Sequence, residues 1–296
     1  QRYNKGFPLQ SLSQTSSNEQ LFAFSQNLSY FYFMQNSISV ENLSIHLIQV
    51  DLIWENKPEN IKSIQREIEK LPASADVVIL PEMFSTGFTM KPELVAESMS
   101  GKTVDWMREM ASKHQIALIG SLVIQENNNY YNRMLFVTKD GVLETYDKRH
   151  LFSYAGEDKV YTAGTERKII KYKGWNICLQ ICYDLRFPVF TRNHGEYDLL
   201  LFVANWPEIR ILAWDSLLKA RAIENICYVA GVNRVGNDKH DFYHNGHSQL
   251  IDYLGKQLIK PQEKEGAFQF TIEKQPLLDT REKLGFLKDV DRFTLE

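Results

Sequence analysis

The chain has 296 residues, 44% hydrophobic and 24% charged, with a formal net charge of −3, a composition that suits one large α/β domain or two small ones. Acidic and basic residues are interspersed without a basic stripe, so a nucleic-acid partner has no electrostatic footprint. No apolar run approaches the ~18 residues of a membrane-spanning helix. The three cysteines are too few and odd in number for a disulfide framework, and we expect a reducing, cytoplasmic setting.

Residues 1–40 differ from the rest. Ser, Gln and Asn dominate 10–20, and 21–34 mixes aromatic with polar residues. Arg2 and Lys5 could open a signal peptide, but Ser25, Gln26, Asn27 and Ser29 interrupt the apolar stretch it needs. We read 1–40 as an N-terminal extension with no assigned role, Met34 as a candidate natural start, and 41–296 as one domain.

Alternating apolar positions predict a strand over 43–50, and an amphipathic run opening on Pro58 predicts a helix over 58–70. Residues 76–80 (DVVIL) have the continuous apolar character of a strand buried on both faces. A helix over 103–114 and a buried strand over 116–122 follow. Strands over 131–138 and 142–146 make a hairpin at Lys139-Asp140-Gly141, and those over 169–172 and 175–181 a second around Lys173-Gly174. A strand over 199–203, a helix over 212–225 and a strand over 228–232 continue the alternation. Strands near 248–253 and 268–272 complete the core, with the charged tail from Asp279 wrapping a surface. This pattern predicts a mixed sheet covered by helices. A nucleotide-binding doubly wound fold shares the alternation, but no G-x-G-x-x-G or P-loop lysine motif follows any strand.

Reactive groups in open α/β sheets gather beyond the carboxyl ends of strands. There the chain places Glu82 after 76–80, Lys148 after 142–146 and Cys182 after 175–181. A carboxylate, an amine and a thiol suffice for acyl transfer. Taken singly, Glu82 and Lys148 also read as solvated strand-end charges. Cys182 is more specific. Cys178 and Cys227 read as small buried hydrophobes, whereas Cys182 stands at a bend near Arg186 and Lys148, surroundings expected to favour the thiolate. The run holding His240, His244 and His247 has metal-like spacing, but it contains the Asn245-Gly246 turn signal and no cysteine, and reads as a mobile loop entering a strand.

Leu-Pro-Glu82-Met-Phe, Tyr-Asp-Lys148-Arg-His-Leu-Phe and Cys182-Tyr-Asp-Leu-Arg-Phe-Pro, in that order, resemble the nitrilase, or carbon–nitrogen hydrolase, superfamily. The segment from Gly156-Glu157 to Gly164 is similar to the one carrying that family's second glutamate. Lys219–Val229 and Gly246-His-Ser248 resemble its later helix and strand signatures. Within the superfamily, the cysteine motif followed by Val203-Ala-Asn-Trp206-Pro is most similar to the omega-amidase branch.

The resemblance implies an α/β fold, a four-layer α-β-β-α sandwich, paired into a homodimer or higher oligomer. It also implies a small amide substrate, with 2-oxoglutaramate as the expectation, and neither metal nor organic cofactor. Cys182 would be the nucleophile, Glu82 the general base, and Lys148 with the backbone N–H of Tyr183 the oxyanion donors. Glu157 would orient Lys148 or water. Asp184 and Arg186 are expected to form an ion pair that holds the loop. Arg149, Arg210 and His150 are candidates for the substrate carboxylate, and Trp206 for a pocket wall. The same residues would serve hydrolysis of a nitrile or carbamoyl compound. A metabolite-binding inactive relative and a redox-sensing thiol protein are the readings from other classes.

Overall fold

The computed structural model describes residues 42–294, and the N-terminal extension over 1–40 lies outside them. Residues 41–296 cluster as one compact unit.

Two six-stranded sheets form the centre. The first contains β1 (Leu43–Gln49), β2 (Val77–Ile79), β3 (Ala117–Glu126), β4 (Asn129–Val137), β5 (Leu143–Asp147) and β14 (Gly266–Ile272), in the order β14-β1-β2-β3-β4-β5. The second contains β6 (Lys168–Tyr172), β7 (Trp175–Ile181), β8 (Leu199–Ala204), β9 (Tyr228–Asn233), β12 (Gln249–Ile251) and β13 (Gln257–Ile259), in the order β13-β12-β9-β8-β7-β6. Strands β1, β2 and β3 are mutually parallel, as are β7, β8 and β9, and the hairpin strands add antiparallel edges.

Side chains alternate across a strand, and here both faces are buried. Leu43, Ile45, Leu47, Val77 and Ile79 face the second sheet, packing with Ile177, Leu179, Leu199 and Leu201. Their neighbours Ile48, Val78 and Leu118 face outward against Ile64 and Ile68 of α1 (Lys57–Ile68) and Met107 and Met110 of α3 (Lys102–His114). A single turn, α2 (Pro92–Val95), lies between these helices in the chain. On the far side, Cys178, Leu200 and Phe202 pack against Trp214, Leu218 and Ala222 of α4 (Ile211–Asn225). Helix, sheet, sheet, helix is the four-layer order that the resemblance implies.

Three elements depart from expectation. The tail from Asp279 begins as the second half of α5 (Lys274–Leu284), which buries Leu277 and is capped by Gly285 with φ +68°, and a 3₁₀ turn over Phe286–Lys288 follows. The helix's one buried residue leaves too narrow an apolar stripe for sequence periodicity to register. The segment read as a mobile loop contributes a hairpin, β10 (Val235–Asn237) with β11 (Tyr243–Asn245). Strand β13 is short, bounded by Lys256 and Lys260, and gives little alternation. Among the described residues no helix is long and apolar enough to cross a membrane.

Candidate active site

Strands β2 and β5 of the first sheet and β7 and β8 of the second converge on one cluster. Glu82 follows β2 through Leu80-Pro81 and is fully buried. Its Oε1 accepts from Lys148 Nζ at 2.9 Å and Asn132 Nδ2 at 2.8 Å, and its Oε2 from the Asn205 backbone N–H at 2.8 Å. The next residue, Met83, has φ +44° and donates its N–H to Ser121 Oγ at 2.8 Å, which fixes the exit from β2.

Lys148 lies just past β5. Its N–H donates to the Asn132 carbonyl at 3.0 Å, and its carbonyl accepts from Gly164 N–H at 2.9 Å. The ammonium also donates to both Glu157 oxygens, at 3.1 and 2.9 Å. Glu157 follows Gly156, whose φ of +80° suits glycine, and accepts the Phe152 N–H at 2.6 Å. Asn132 Nδ2 reaches Glu157 as well, at 3.3 Å, and so bridges the two carboxylates.

Cys182 begins a 3₁₀ turn, Cys182–Arg186, with φ +45°. For a side chain bearing Cβ this left-handed conformation costs roughly 1–2 kcal/mol, and surrounding bonds must hold it. Asp184 supplies them: its carboxylate accepts from Ile181 N–H at 2.9 Å, Tyr146 hydroxyl at 2.8 Å and His150 N–H at 2.9 Å, with His150 Nδ1 at 2.8 Å. The expected Asp184–Arg186 ion pair is therefore absent. Arg186 instead lies over the Trp206 ring, 4.9 Å from its centroid.

The charges are unevenly balanced. Burial alone would lower the Lys148 amine, but Glu157 and then Glu82 outweigh it and hold the amine well above the ordinary lysine value. Burial raises the Glu157 carboxyl; Lys148 lowers it and Glu82 raises it, with a net upward shift. Burial also pushes the Cys182 thiol well above its ordinary value; Glu82 adds to this, Lys148 opposes it and Glu157 adds again. The expectation that the surroundings favour the thiolate is thus reversed. Burial and the two buried carboxylates outweigh the one ammonium, so the thiol form is favoured, and Glu82 is the carboxylate whose charge bears on it most.

Cys182 is partly exposed and opens, with Glu82 and Lys148, into a cavity of about 500 Å³. Phe88, Phe152, Tyr183 and Trp206 form much of its wall, and Arg210 lines it with its guanidinium 5.3 Å from the Phe152 centroid. Arg149 and His150 do not line it. Arg149 donates to the Thr165 carbonyl at 3.3 Å and lies over Phe190; His150 stacks on Phe187 at 3.9 Å. The three histidines of the 240–247 run diverge. His240 packs edge-on to Trp54, the His244 ring lies 3.0 Å from the Phe242 carbonyl, and His247 lies 2.9 Å from Asp215. Burial and then Arg234 push His244 down to about 4, so it is neutral near pH 7.

Sequence reasoning missed Asn132 and Asn205. Neither carries a reactive group, and Asn132 stands between Tyr131 and Arg133 on β4, so only the burial of the glutamates they hold marks them out.

A family model described as "Carbon-nitrogen hydrolase" matches residues 44–277. An omega-amidase, YafV, of Yersinia enterocolitica is 41% identical over 261 residues, covering 86% of this chain and all of that protein. A 2-oxoglutaramate amidase of Bacillus subtilis is 33% identical, covering 83% and 97%. Among solved structures, XC1258 of Xanthomonas campestris, a CN-hydrolase superfamily protein with an arsenic adduct in its active site, superposes with a TM-score of 0.84 at 42% identity. That match covers 86% of this chain and 100% of the other.

Proposed function

The chain belongs to the carbon–nitrogen hydrolase family and is an amidohydrolase of non-peptide amides, and on that footing we propose that it hydrolyses 2-oxoglutaramate to 2-oxoglutarate and ammonia through a thioester on Cys182. The observation that carries the reading is that Cys182, Glu82 and Lys148 line one cavity, with the Lys148 ammonium bonded to Glu82 and Glu157. The omega-amidase and 2-oxoglutaramate amidase relatives support the choice of substrate.

In the mechanism we assign, Glu82 takes the Cys182 proton as sulfur bonds to the amide carbon. One carboxylate then serves as base and acid, because the proton it has received goes to the leaving nitrogen. Lys148 and the Tyr183 N–H stabilise the tetrahedral oxyanion; such donors contribute roughly 3–4 kcal/mol each. The carbon–nitrogen bond breaks, ammonia leaves and the thioester remains. Water then attacks the carbonyl and gives a proton to Glu82. The carbon–sulfur bond breaks, and that proton returns to the sulfur. Glu157 positions Lys148 and keeps it charged. Trp206 walls the cavity, and of Arg149, His150 and Arg210 it is Arg210 that lines it and serves the substrate carboxylate.

We place the enzyme in the cytoplasm as a homodimer or higher oligomer. Its free cysteines support the first part and the family resemblance the second; light scattering on the purified protein tests the assembly.

The deciding experiment is ammonia release by wild-type and Cys182→Ala protein from 2-oxoglutaramate, carbamoyl amino acids and nitriles. We expect wild-type turnover of the first, abolished in the variant while the protein stays folded. Turnover retained without Cys182 removes the nucleophile, and preference for a nitrile or carbamoyl compound removes the substrate.

A further inference from the structure

Strand β5 is the last strand of the first sheet and pairs with β4 alone. Its ladder stops just past Asp147. The Lys148 N–H still reaches the Asn132 carbonyl, and the chain carrying the ammonium then leaves the sheet. The N–H groups of Arg149 and His150 therefore need other acceptors. Both are drawn to Asp184, one directly and one through a hydroxyl. The His150 N–H donates to Asp184 Oδ1 at 2.9 Å. The Arg149 N–H donates at 3.2 Å to the Tyr146 hydroxyl, which itself donates to Asp184 Oδ2 at 2.8 Å.

Asp184 faces both sheets. Its Oδ2 also accepts the N–H of Ile181, the residue before the nucleophile, at 2.9 Å. The carboxylate is fully buried, and among the described residues its partners are that N–H, the Tyr146 hydroxyl, and the N–H and ring of His150. The His150 ring is gripped from beyond the turn as well. It stacks on Phe187, with centroids 3.9 Å and planes 5° apart, and meets Phe190 edge-on at 5.4 Å. Burial and then Asp184 hold the Tyr146 hydroxyl well above its ordinary value, so it remains a donor. The Ile181 bond closes the turn that Cys182 begins. The bonds to Tyr146 and His150 reach across to the other sheet, on either side of Lys148.

We infer that Tyr146, Asp184 and His150 are positioning residues that set the place of the Lys148 ammonium relative to the Cys182 sulfur, so that the lysine meets the oxyanion as the carbonyl is attacked. This rests on the amidase reading of Cys182 and deepens it. Glu82 and Glu157 balance the lysine's charge, while the Asp184 bridge ties its backbone to that of the nucleophile. Oxyanion donors must sit where the charge develops, and a displacement of about 1 Å can cost roughly 10²-fold in rate.

Two variants test the bridge. Tyr146→Phe removes the hydroxyl that joins Asp184 to the Arg149 N–H, and His150→Phe keeps a ring to stack on Phe187 but loses its bond to Asp184. In each, kcat for ammonia release from 2-oxoglutaramate should fall roughly tenfold with KM little changed. Alkylation by iodoacetamide, read at Cys182 by mass spectrometry, forms a carbon–sulfur bond and expels iodide without an oxyanion. Its rate should therefore stay within about twofold of wild type. A role confined to holding the nucleophile's turn would slow alkylation and turnover together, which overturns the assignment, as does an unchanged kcat in either variant. Should one variant fail to fold, as judged by thermal melts, the other decides. Wild-type protein that releases no ammonia from 2-oxoglutaramate, glutaramate or pentanamide overturns the amidase reading and this inference with it. Wild-type turnover with alkylation that tracks kcat across the variants removes the bridge alone.

Discussion

The Lys148 ammonium donates to the Glu82 carboxylate at 2.9 Å, and neither side chain has any solvent exposure. An ion pair withdrawn this far from water persists only with further partners, here Glu157, Asn132 and the Asn205 N–H. Removing one member is therefore a test of stability as much as of catalysis.

Lys148→Met should lower stability by about 3–5 kcal/mol at neutral pH, the usual consequence of stranding buried charge, and should abolish turnover. The loss should also depend on pH. A carboxyl whose folded pKa is raised contributes stability that is full below its unfolded value and lost as pH rises through the folded one. Glu157 is already raised, and Lys148 is what restrains it. Without Lys148 it rises further, so the variant's deficit should shrink toward pH 4 and grow toward pH 8. Urea melts across that range check this, and a deficit independent of pH would contradict the charge account.

Glu82→Gln should have opposite effects on turnover and on the thiol. Loss of the base should reduce kcat by roughly 10²–10⁴-fold. Glu82 is also the leading charge that raises the Cys182 thiol. Removing a nearby anion stabilises the thiolate and lowers the thiol pKa. Titration of thiolate absorbance, with Cys182→Ala as the blank, should show a lower midpoint in Glu82→Gln than in wild type. An unchanged midpoint would mean that Glu82 does not face the sulfur.

Gly164→Ala should impair catalysis from outside the cluster. A Cβ at this position would overlap the Asp147 carbonyl, and the Gly164 N–H is bonded to the Lys148 carbonyl at 2.9 Å. The backbone carrying Lys148 must shift to relieve the overlap. Such overpacking costs about 1–3 kcal/mol, and a displaced donor should lower kcat more than it raises KM. Steady-state kinetics beside thermal melts would show this, and an unaffected kcat would place the strain elsewhere.

Glu82, Lys148 and Cys182 were legible because each ends a strand whose apolar pattern is plain in the chain. Glu157 was legible only through resemblance, since it sits on a 3₁₀ turn without periodicity. Asn132 and Asn205 carry no reactive group and draw attention only once the glutamates they hold are known to be buried. The ionisation of Cys182 was misjudged for a related reason. Neighbours expected from the sequence, Arg186 and Lys148, suggested a cationic setting, while burial comes first, and Glu82, distant along the chain, is the leading charge and outranks Lys148. Likewise Arg186 lies two residues from Asp184, yet the 3₁₀ turn directs that carboxylate to Tyr146 and His150.

Local pattern alone determined most of the strands and helices, because side-chain periodicity and turn chemistry act over a few residues. It also supplied the strand-end groups on which a cysteine hydrolase could be built. Tertiary structure alone decided that Glu82 and Lys148 from one sheet meet Cys182 from the other, that the sulfur rests as a thiol, and that Arg186 is left without an acid. Desolvation and Coulomb interaction depend on distance through space, and those distances exist only once the two sheets have packed.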